Sequence, residues 1–339
     1  MLQEYLPGLW LDEVSTGFSG VPYLNMTWIP GDAGGRSLLV DAGLPDPVSG
    51  ECREAVRRGL RLLRIDPKRL DCIITHSHRD HVGQAALLHS LGAQVLMNPV
   101  DMEEGEEKIN HELLHPTTRK RLFRLVGLEL SPEDEYREFW RAADDFTNGF
   151  EHAWEFPSEA IRPGECRRYG VYRFRLVSLP GHTKGHMGLW DREKKLLFSG
   201  DQLVHGVTPI VSDSGDYPEG LDDYLDSMRA VKHVYGDCLF IPGHGKPFRH
   251  PEQEVDTVVQ RYLNKCSAMY HHLRRAAEPL CIREIGRRTY GRYGRKLSRA
   301  EQRSCILIWF KTYACLNYMK RRELVREQME DGVSMWSAV

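Results

Sequence analysis

The chain has 339 residues, of which 41% are hydrophobic and 28% charged, and its formal net charge at pH 7 is −2. This composition indicates a folded globular protein long enough for two domains, and it excludes a wholly disordered or collagen-like chain. No apolar run reaches the length of a membrane-spanning helix, and the first residues lack the pattern of a signal peptide. The sequence therefore predicts a cytoplasmic protein with no membrane partner.

The eight cysteines contain no Cys-x-x-Cys pair and are spread over the whole chain. This distribution favours neither a disulfide framework nor a thiolate zinc site. We expect them to be small buried apolar residues.

Strand-like runs alternate with helical patterns over the first 250 residues, apart from one interruption. Helical spacing of apolar residues occurs at 51–65 and 82–91. Short β-branched and apolar runs, typical of buried strands, occur at 21–29, 37–40, 70–75, 171–179, 195–198 and 238–241. This rhythm predicts an α/β catalytic domain over residues 1–250.

The interruption, at about 101–156, predicts a helical insertion with 15 Asp and Glu against 7 Lys and Arg. Its segment 111–115, H-E-L-L-H, matches the H-E-x-x-H zinc pattern, but we favour a surface helix there over a lid or a second zinc site. We expect its aromatic residues to form a helical core, and the functional alternative is an apolar substrate pocket or a homodimer surface. These aromatic residues are Trp140, Phe146, Phe150, Trp154 and Phe156.

The last part of the chain, 251–339, predicts a helical, winged-helix-like domain. Helical patterns at 255–277, 282–290 and 298–322 are followed by two strand-like runs around Asp331-Gly332, a pair typical of hairpin turns. Ser298 and Glu301 have the spacing of a capping box at the start of the third helix.

This C-terminal part is basic, whereas the rest of the chain is acidic. Residues 261–339 contain 17 Lys and Arg against 7 Asp and Glu. Such a segment attracts nucleic acid or a phosphorylated carrier, or it packs against acidic neighbours in its own chain. We favour the packing interpretation.

Potential metal ligands follow four of the strand-like runs. Because strand ends hold side chains rigidly, ligands placed there can converge with little positional error. Imidazole and carboxylate donors without thiolate suit zinc, iron, manganese or cobalt in an open site. These ligands are His76, His78, Asp80 and His81 after the first run, then His182, Asp201 and His244.

The first cluster, H-S-H-R-D-H at 76–81, has spacing suited to two metal ions. His76 and His78 project to one side of an extended segment, whereas Asp80 and His81, at the start of a helix, turn toward a second point. A lone H-x-H is weak evidence, but the full pattern with downstream Gly-His, Gly-Asp and Gly-His-Gly is specific.

At these residues the sequence resembles the metallo-β-lactamase-fold hydrolases, whose signature is T-H-x-H-x-D-H followed by His, Asp and His. Residues 75–81 match the signature, and residues 39–43 and 180–186 resemble the family's V-D-x-G and P-G-H-T-x-G-H segments. The resemblance covers about residues 1–250 and extends to glyoxalase II-like and lactonase-like members with a C-terminal winged-helix-like appendage.

The resemblance implies a four-layer αββα sandwich with a binuclear metal centre, most simply of two zinc ions, with iron or manganese as alternatives. It implies a first ion held by His76, His78 and His182, a second ion held by Asp80, His81 and His244, and Asp201 bridging the two.

Two ions about 4 Å apart lower the pKa of a bridging water to roughly 7, so that hydroxide can attack a carbonyl or phosphoryl centre. We expect Asp80 or Asp201 to pass on the proton. The first hypothesis is hydrolysis of a small-molecule ester-like bond, a thioester or a lactone. The alternatives are a nucleic-acid phosphodiesterase guided by the basic C-terminal domain, an iron-dependent oxygenase of thiols or persulfides, and, last, a DNA-binding regulator.

Three further residues near the ligands carry weaker expectations. His186 is expected to support a ligand rather than to bind metal. His205 and Tyr217 follow Asp201 in a segment that could cover the site, and they are candidates for the substrate pocket.

Overall fold

The computed structural model describes residues 2–16, 22–46, 50–103, 113, 115–148, 155–291 and 297–339. The chain divides into two compact units. The first unit comprises Met1–Glu107, Gly149–Pro209 and Ser227–Val255, and the second comprises Lys108–Asn148, Ile210–Asp226 and Asp256–Val339.

A seven-stranded sheet opens the first unit, with its strands in chain order. Strands β1 to β4 pair antiparallel, whereas β4 to β7 pair parallel, so the carboxyl ends of β4, β5 and β6 lie at one edge. The strands are β1 (Leu2–Leu6), β2 (Leu9–Ser15), β3 (Tyr23–Ile29), β4 (Ser37–Val40), β5 (Leu70–Ile73), β6 (Gln94–Met97) and β7 (Glu159–Ala160).

A five-stranded sheet of order β12-β11-β10-β9-β8 completes the strands of the first unit. Only β11 and β12 pair parallel, so their carboxyl ends also lie side by side. The strands are β8 (Cys166–Tyr169), β9 (Tyr172–Ser178), β10 (Met187–Asp191), β11 (Leu196–Gly200) and β12 (Leu239–Pro242). The six strand-like runs of the sequence are confirmed, whereas β1, β2, β6, β7, β8 and β10 have no counterpart among those runs.

Two apolar cores stabilise this unit. One lies between the sheets and joins residues such as Leu38 and Ile73 of the first sheet to Phe174 and Phe198 of the second. The other covers the opposite face of the first sheet, where Trp28 packs with residues of the helices. Burial of both faces explains why the central strands read as continuous apolar runs.

The helices of the first unit follow the strands. The segment predicted as a helix at 82–91 is two short helices, because the backbone turns between Val82 and Ala85. The helices are α1 (Gly50–Leu62), α2 (Arg79–Val82), α3 (Ala85–Ser90) and α4 (Pro99–Glu103).

The second unit is mainly helical. Its sheet has three strands in the order β13-β15-β14. Its elements are α5 (Pro116–Leu125), α6 (Glu133–Thr147), α9 (Ile282–Thr289), α10 (Arg299–Lys320), β13 (Leu280–Cys281), β14 (Val325–Glu330) and β15 (Val333–Ala338), and α7 (Gly220–Val234) and α8 (Glu252–Arg275) contribute to both units.

The sequence predicts that the acidic insertion is part of the catalytic domain. In the structure, residues 108–148 of the insertion belong to the second unit instead. The reason is aromatic packing: Phe123 and Phe139 lie 6.3 and 4.7 Å from the ring of Trp309 on α10. A partner so distant in sequence leaves no local signal.

The insertion's aromatic residues have mixed outcomes. Trp140 lies 5.8 Å from Phe123 and joins the helical core, as expected. Phe156 instead packs against the first unit's core. Phe150 and Trp154 lie outside the described residues, as does the side chain of Phe146.

The C-terminal elements agree closely with the sequence. Ser298 and Glu301 form the expected capping box at α10, and β14 and β15 form the expected hairpin around Asp331-Gly332. The two-residue strand β13 was missed because it is too short to show a period, yet it pairs with β15. The winged-helix description of this region stays a prediction.

Two composition-based expectations can be compared with the structure. Seven of the eight cysteines are buried and Cys166 is exposed, with no disulfide. Among the described residues, no helix is both long and apolar enough to cross a membrane.

Candidate metal centre

The histidine cluster occupies the turn from β5 into α2. His78 is the N-cap residue of α2, with extended backbone angles. His78 therefore lies on extended chain before the helix, whereas Asp80 and His81 lie in the first helical turn. The change of backbone direction separates the four side chains into two groups, as the spacing predicted.

The first ligand group consists of His76, His78 and His182. The Nδ1 atom of His78 lies 2.9 Å from His76 Nε2 and 2.9 Å from His182 Nε2. Nitrogens bound to one tetrahedral zinc ion, with Zn–N bonds of about 2.0–2.1 Å, lie about 3.3 Å apart. The spacing of the three nitrogens is therefore close to that of a metal-binding triad.

The second ligand group consists of Asp80, His81 and His244. The Nε2 atom of His244 lies 3.2 Å from Asp80 Oδ2. The donor atoms of all three residues lie within 4.8 Å of one another.

Asp201 lies between the two groups. Its Oδ2 atom is 3.8 Å from His182 Nε2 and 3.4 Å from His244 Nε2, and its Oδ1 atom is 3.6 Å from His81 Nε2. His81 Nε2 and Asp201 Oδ1 are both buried and have no hydrogen-bond partner among the described residues. Two such donor atoms facing each other are the arrangement that a cation would satisfy.

Two histidines of the first group, His76 and His78, have lowered pKa values. Burial lowers the pKa of His76 well below its usual value, and the neighbouring His81 and His78 lower it further. Burial, followed by the effect of His182, does the same to the pKa of His78. Neutral imidazoles offer the lone pairs that metal binding requires.

The second group is dominated by carboxylates. Burial opposes protonation of His81, but Asp41 and Asp201 outweigh it and raise its pKa to about 10. Burial likewise opposes protonation of His244, whose pKa is raised well above its usual value, chiefly by Asp201. Without metal, the pKa shifts therefore favour a proton on these two imidazoles and disfavour one on His76 and His78.

His81 is oriented by Asp41, which follows the carboxyl end of β4. The Asp41 carboxylate accepts hydrogen bonds from the Thr75 amide at 2.8 Å and from His81 Nδ1 at 2.9 Å. The second bond leaves His81 Nε2 directed at Asp201. A carboxylate behind a histidine ligand fixes its ring and tautomer.

His244 is oriented by the backbone of β3. Its Nδ1 atom donates to the carbonyl of Tyr23 at 2.9 Å. Asn25 secures the same loop, because its side-chain amide donates to the carbonyls of Pro242 and Gly245 at 2.9 and 2.7 Å. The sequence analysis did not identify Asn25, although a buried polar residue in an apolar strand was a signal.

The loops of the first group are joined by Asp101, which is fully buried. Its carboxylate accepts hydrogen bonds from the Ser77 amide at 2.9 Å, the Thr183 hydroxyl at 2.7 Å and the Gly185 amide at 2.5 Å. Burial raises the pKa of Asp101 to about 6. The sequence does not distinguish Asp101 from the other acidic residues of the insertion, so this role was not predicted.

Asp201 and His182 have supports of their own. The amide of Asp201 donates to His186 Nε2 at 3.1 Å, which agrees with a supporting role for His186. The amide of His182 donates to Gln202 Oε1 at 3.2 Å. Position 243 requires a glycine, because a Cβ atom there would lie 2.4 Å from Asp201 Oδ1.

The remaining candidates lie elsewhere. His205 is exposed, with Nδ1 3.1 Å from Glu254 Oε2. Tyr217 belongs to the second unit, where its hydroxyl donates to Asp223 at 2.6 Å. Their place at a substrate stays a prediction. Of the H-E-L-L-H segment, His111 and Glu112 lie outside the described residues.

Comparison with known proteins agrees with this geometry. A family model described as the metallo-beta-lactamase superfamily matches residues 25–244, a span that includes all seven ligand candidates. The chain belongs to this superfamily. Its members generally bind divalent metals, and the two groups have the nitrogen and oxygen donors for such ions.

Among the similar proteins, Beta-lactamase-like protein 2 homolog of Caenorhabditis elegans is 25% identical over 68% of this chain and 60% of its own length. Hydroxyacylglutathione hydrolase GloC of Haemophilus influenzae is 30% identical over 60% of this chain and 80% of its own. Acyl-coenzyme A thioesterase MBLAC2 of Gallus gallus is 26% identical over 63% of this chain and 70% of its own. These relatives agree with the family model in placing the chain among the metallo-hydrolases.

Among solved structures, a beta-lactamase domain protein from Burkholderia ambifaria has a TM-score of 0.80. It is 20% identical, and the match covers 100% of this chain and 94% of that one. The two sheets with their helices are therefore the metallo-β-lactamase sandwich, and the chain also contains the helical C-terminal region expected from the sequence.

Proposed function

We propose that the chain is a binuclear, zinc-type hydrolase that cleaves a small-molecule thioester. One observation supports this most strongly: six other candidate ligands lie around Asp201, and His81 Nε2 and Asp201 Oδ1 are buried with no hydrogen-bond partner among the described residues. That donor number suits two ions with open positions better than one closed structural site.

A pair of divalent ions supplies a Lewis acid and lowers the pKa of water for attack on an acyl carbon. The protein's own residues hold the charges and move the proton. Asp80 is ionised at neutral pH, because His244 and His81 lower its pKa against the opposing effect of burial. Its lowered pKa makes it a weak base, so we assign its Oδ2 atom to accepting a hydrogen bond from the attacking water and orienting it.

A thioester is favoured over a lactone for two reasons. The thiolate leaving group needs no general acid to assist it, so the described site can suffice. The names of two relatives also refer to thioester chemistry, since acylglutathione and acyl-coenzyme A are both thioesters. Sequence identities of 30% and 26% support this class of bond without indicating which acyl group is bound.

The test combines metal analysis with thiol release. Protein supplied with zinc, manganese or iron is analysed for bound metal and assayed with S-lactoylglutathione and acetyl-coenzyme A, using Ellman's reagent. The exposed Cys166 reacts with that reagent, so its signal is subtracted in substrate-free samples. We expect about two ions per chain and metal-dependent release of thiol.

The matched variants are His78→Ala in the first group and His89→Ala on α3, where the histidine is exposed. His78→Ala should abolish turnover, and His89→Ala should not change it. Less than one ion per chain with every metal, or equal activity of His78→Ala, contradicts the proposal. Cleavage of single-stranded RNA without thioester turnover indicates a phosphodiesterase, and one iron with oxygen consumption indicates an oxygenase.

A further inference from the structure

Strand β14 forms one edge of the three-stranded sheet in the second unit. The strands have the order β13-β15-β14, and among the described residues β14 pairs with β15 alone. A strand at the edge of a sheet leaves half of its backbone N–H and C=O groups without a ladder partner. Such an edge can pair with a strand of another chain.

The hairpin turn determines which backbone groups of β14 point away from the sheet. Asp331 and Gly332 both have positive φ angles, 48° and 82°, as a two-residue type I′ turn requires. The two residues that flank such a turn hydrogen-bond to each other, and the pattern then alternates along the strand. Glu327 and Met329 therefore direct their backbone groups outward. In the described part of the chain, neither of these amides donates to a loop or to a side chain.

The solvent-facing side of β14 carries one basic and one acidic side chain. Arg326, Gln328 and Glu330 are exposed on the face opposite to the buried Val325. Arg326 donates to the Ser337 hydroxyl at 2.9 Å, and Glu330 accepts from Gln328 at 3.1 Å. Among the described residues, neither charged side chain forms an ion pair. Four residues of strand, about 13 Å, separate Arg326 from Glu330, so they do not pair with each other.

A second copy of the chain can satisfy both charges at once. In an antiparallel pair of identical strands, the residue at the two-fold axis lies opposite itself. With Gln328 at the axis, Arg326 lies opposite Glu330 of the partner subunit. The outward backbone groups of Glu327 then lie opposite those of Met329 of the partner subunit, and such a pair exchanges two hydrogen bonds. Moving the axis to either neighbouring residue removes both charge pairs.

Two other edge strands lack this complementarity. β8 ends the five-stranded sheet and carries Arg167 and Arg168, and β1 ends the seven-stranded sheet with Glu4 as its one charged residue. A second copy paired along either edge would bring charges of a single sign, and like charges directly opposite one another are destabilising. Among these three edges, only β14 is complementary to itself.

We propose that two copies of the chain associate through β14, which joins their three-stranded sheets into one continuous sheet. The charge pattern of Arg326 and Glu330 and the outward amides of Glu327 and Met329 support a second copy as the occupant of this edge. A single pair of strands buries less surface than a standard protein interface, so we expect a dissociation constant in the micromolar range. The inference concerns the second unit alone and does not depend on the proposed hydrolysis.

Sedimentation equilibrium of the full chain at about 1 to 200 µM tests the inference. We expect a reversible equilibrium between monomer and dimer that shifts toward monomer as salt is added, because the charge pairs lie in solvent. A chain that stays monomeric at the highest concentration overturns the inference. A strand of another protein would then be the remaining occupant of the edge.

Two charge reversals test the register. Arg326→Glu places acidic side chains opposite one another and Glu330→Arg places basic ones, so each variant alone should weaken dimerisation about tenfold to hundredfold. An equimolar mixture of the two variants should restore it, because every charge then faces its opposite. Glu193→Arg, in the turn between β10 and β11, is the matched control and should dimerise normally. Dimerisation unchanged in both variants, or no recovery in the mixture, overturns the inference.

Met329→Pro tests the backbone pairing. The side chain of Met329 is exposed, and its amide points away from β15, so proline should preserve the hairpin while removing a hydrogen bond to the second copy. We expect dimerisation to be lost and the melting temperature of the monomer to change little. Dimerisation as strong as that of the unaltered chain would place the contact elsewhere. If this variant unfolds, the mixed charge variants give the same test without it.

Discussion

The two ligand groups share Asp201 but differ in how they hold protons. His76 and His78 of the first group have lowered pKa values because they are buried beside other histidines. Those of the second group have raised pKa values because Asp41, Asp80 and Asp201 surround them. One short motif therefore supplies two sites of unlike electrostatics, and a metal ion must displace protons from the second site but not from the first.

The groups also differ in their supports. Asp101 joins the two loops that carry His76, His78 and His182, whereas Asp41 and Asn25 secure the residues of the second group. Asp41 contacts the second group directly and reaches the first group only through Thr75, whose hydroxyl donates to Asp41 at 3.1 Å and lies 3.0 Å from His76 Nδ1. Each group can therefore be perturbed more strongly than the other. The following predictions use this difference.

Removing the shared residue should have the largest effect. Asp201→Ala takes a ligand from both groups, so turnover should fall on the order of a thousandfold and metal content should drop below one ion per chain. The control is Asp237→Ala, which removes an exposed aspartate paired with Lys195. Normal metal content and activity in Asp201→Ala would show that the two groups do not depend on this residue.

Asp41→Asn should affect the second group selectively. It weakens the carboxylate support of His81, and losses of about 10–100-fold in metal affinity are typical of such changes. Metal analysis should therefore find close to one ion per chain at limiting zinc, with activity reduced by a similar factor. Equal loss of both ions would mean that the two groups do not bind separately.

Asp101→Asn should affect the first group through its loops. An amide cannot accept all three hydrogen bonds that the carboxylate accepts, so we expect a stability loss of about 1–3 kcal/mol. We also expect about tenfold weaker binding of the first ion, measured by competition with a chelator.

Asp191→Asn is the matched control for this variant. Asp191 is equally buried in the first unit and accepts hydrogen bonds from the amides of Arg173 and Lys194. Asp191→Asn should lower the free energy of unfolding by a similar amount while leaving metal affinity unchanged. The same loss of metal affinity in both variants would reduce Asp101 to a general contributor to stability.

The smallest effect concerns pH. Because the pKa of His81 is raised to about 10, this histidine is protonated in the metal-free protein at pH 7.5 and must release its proton when metal binds. Affinity of the second ion should therefore fall as pH falls, by up to about tenfold per pH unit for each displaced proton. Calorimetry in buffers of different ionisation enthalpy counts these protons, and finding none would contradict the assignment.

Much of the fold could be predicted because local patterns agreed with it. The strands before His76, Asp201 and His244 are buried on both faces, so their sequences are continuously apolar. The capping box at Ser298 and the Asp331-Gly332 turn are local hydrogen-bonding and backbone requirements, which sequence records directly. β13 lacked any such signal, because two residues show no period.

The seven ligand candidates could also be identified from sequence, because metal chemistry limits the residue types and strand ends limit their positions. A polar residue in an apolar strand is a sequence signal for Asn25, but its hydrogen-bond partners, like those of Asp101, include backbone groups that are distant in the chain.

The sequence by itself therefore determined the class of fold, the ligand types and the order in which the chain presents them. Tertiary structure decided which carboxylate stands behind which histidine, and thus where protons are held. It also decided that residues 108–148 of the acidic insertion belong to the second unit, where Phe139 packs against Trp309 of α10. Local sequence records short-range hydrogen bonding and periodic burial, whereas the charge and packing around a side chain depend on neighbours that only the folded chain brings together.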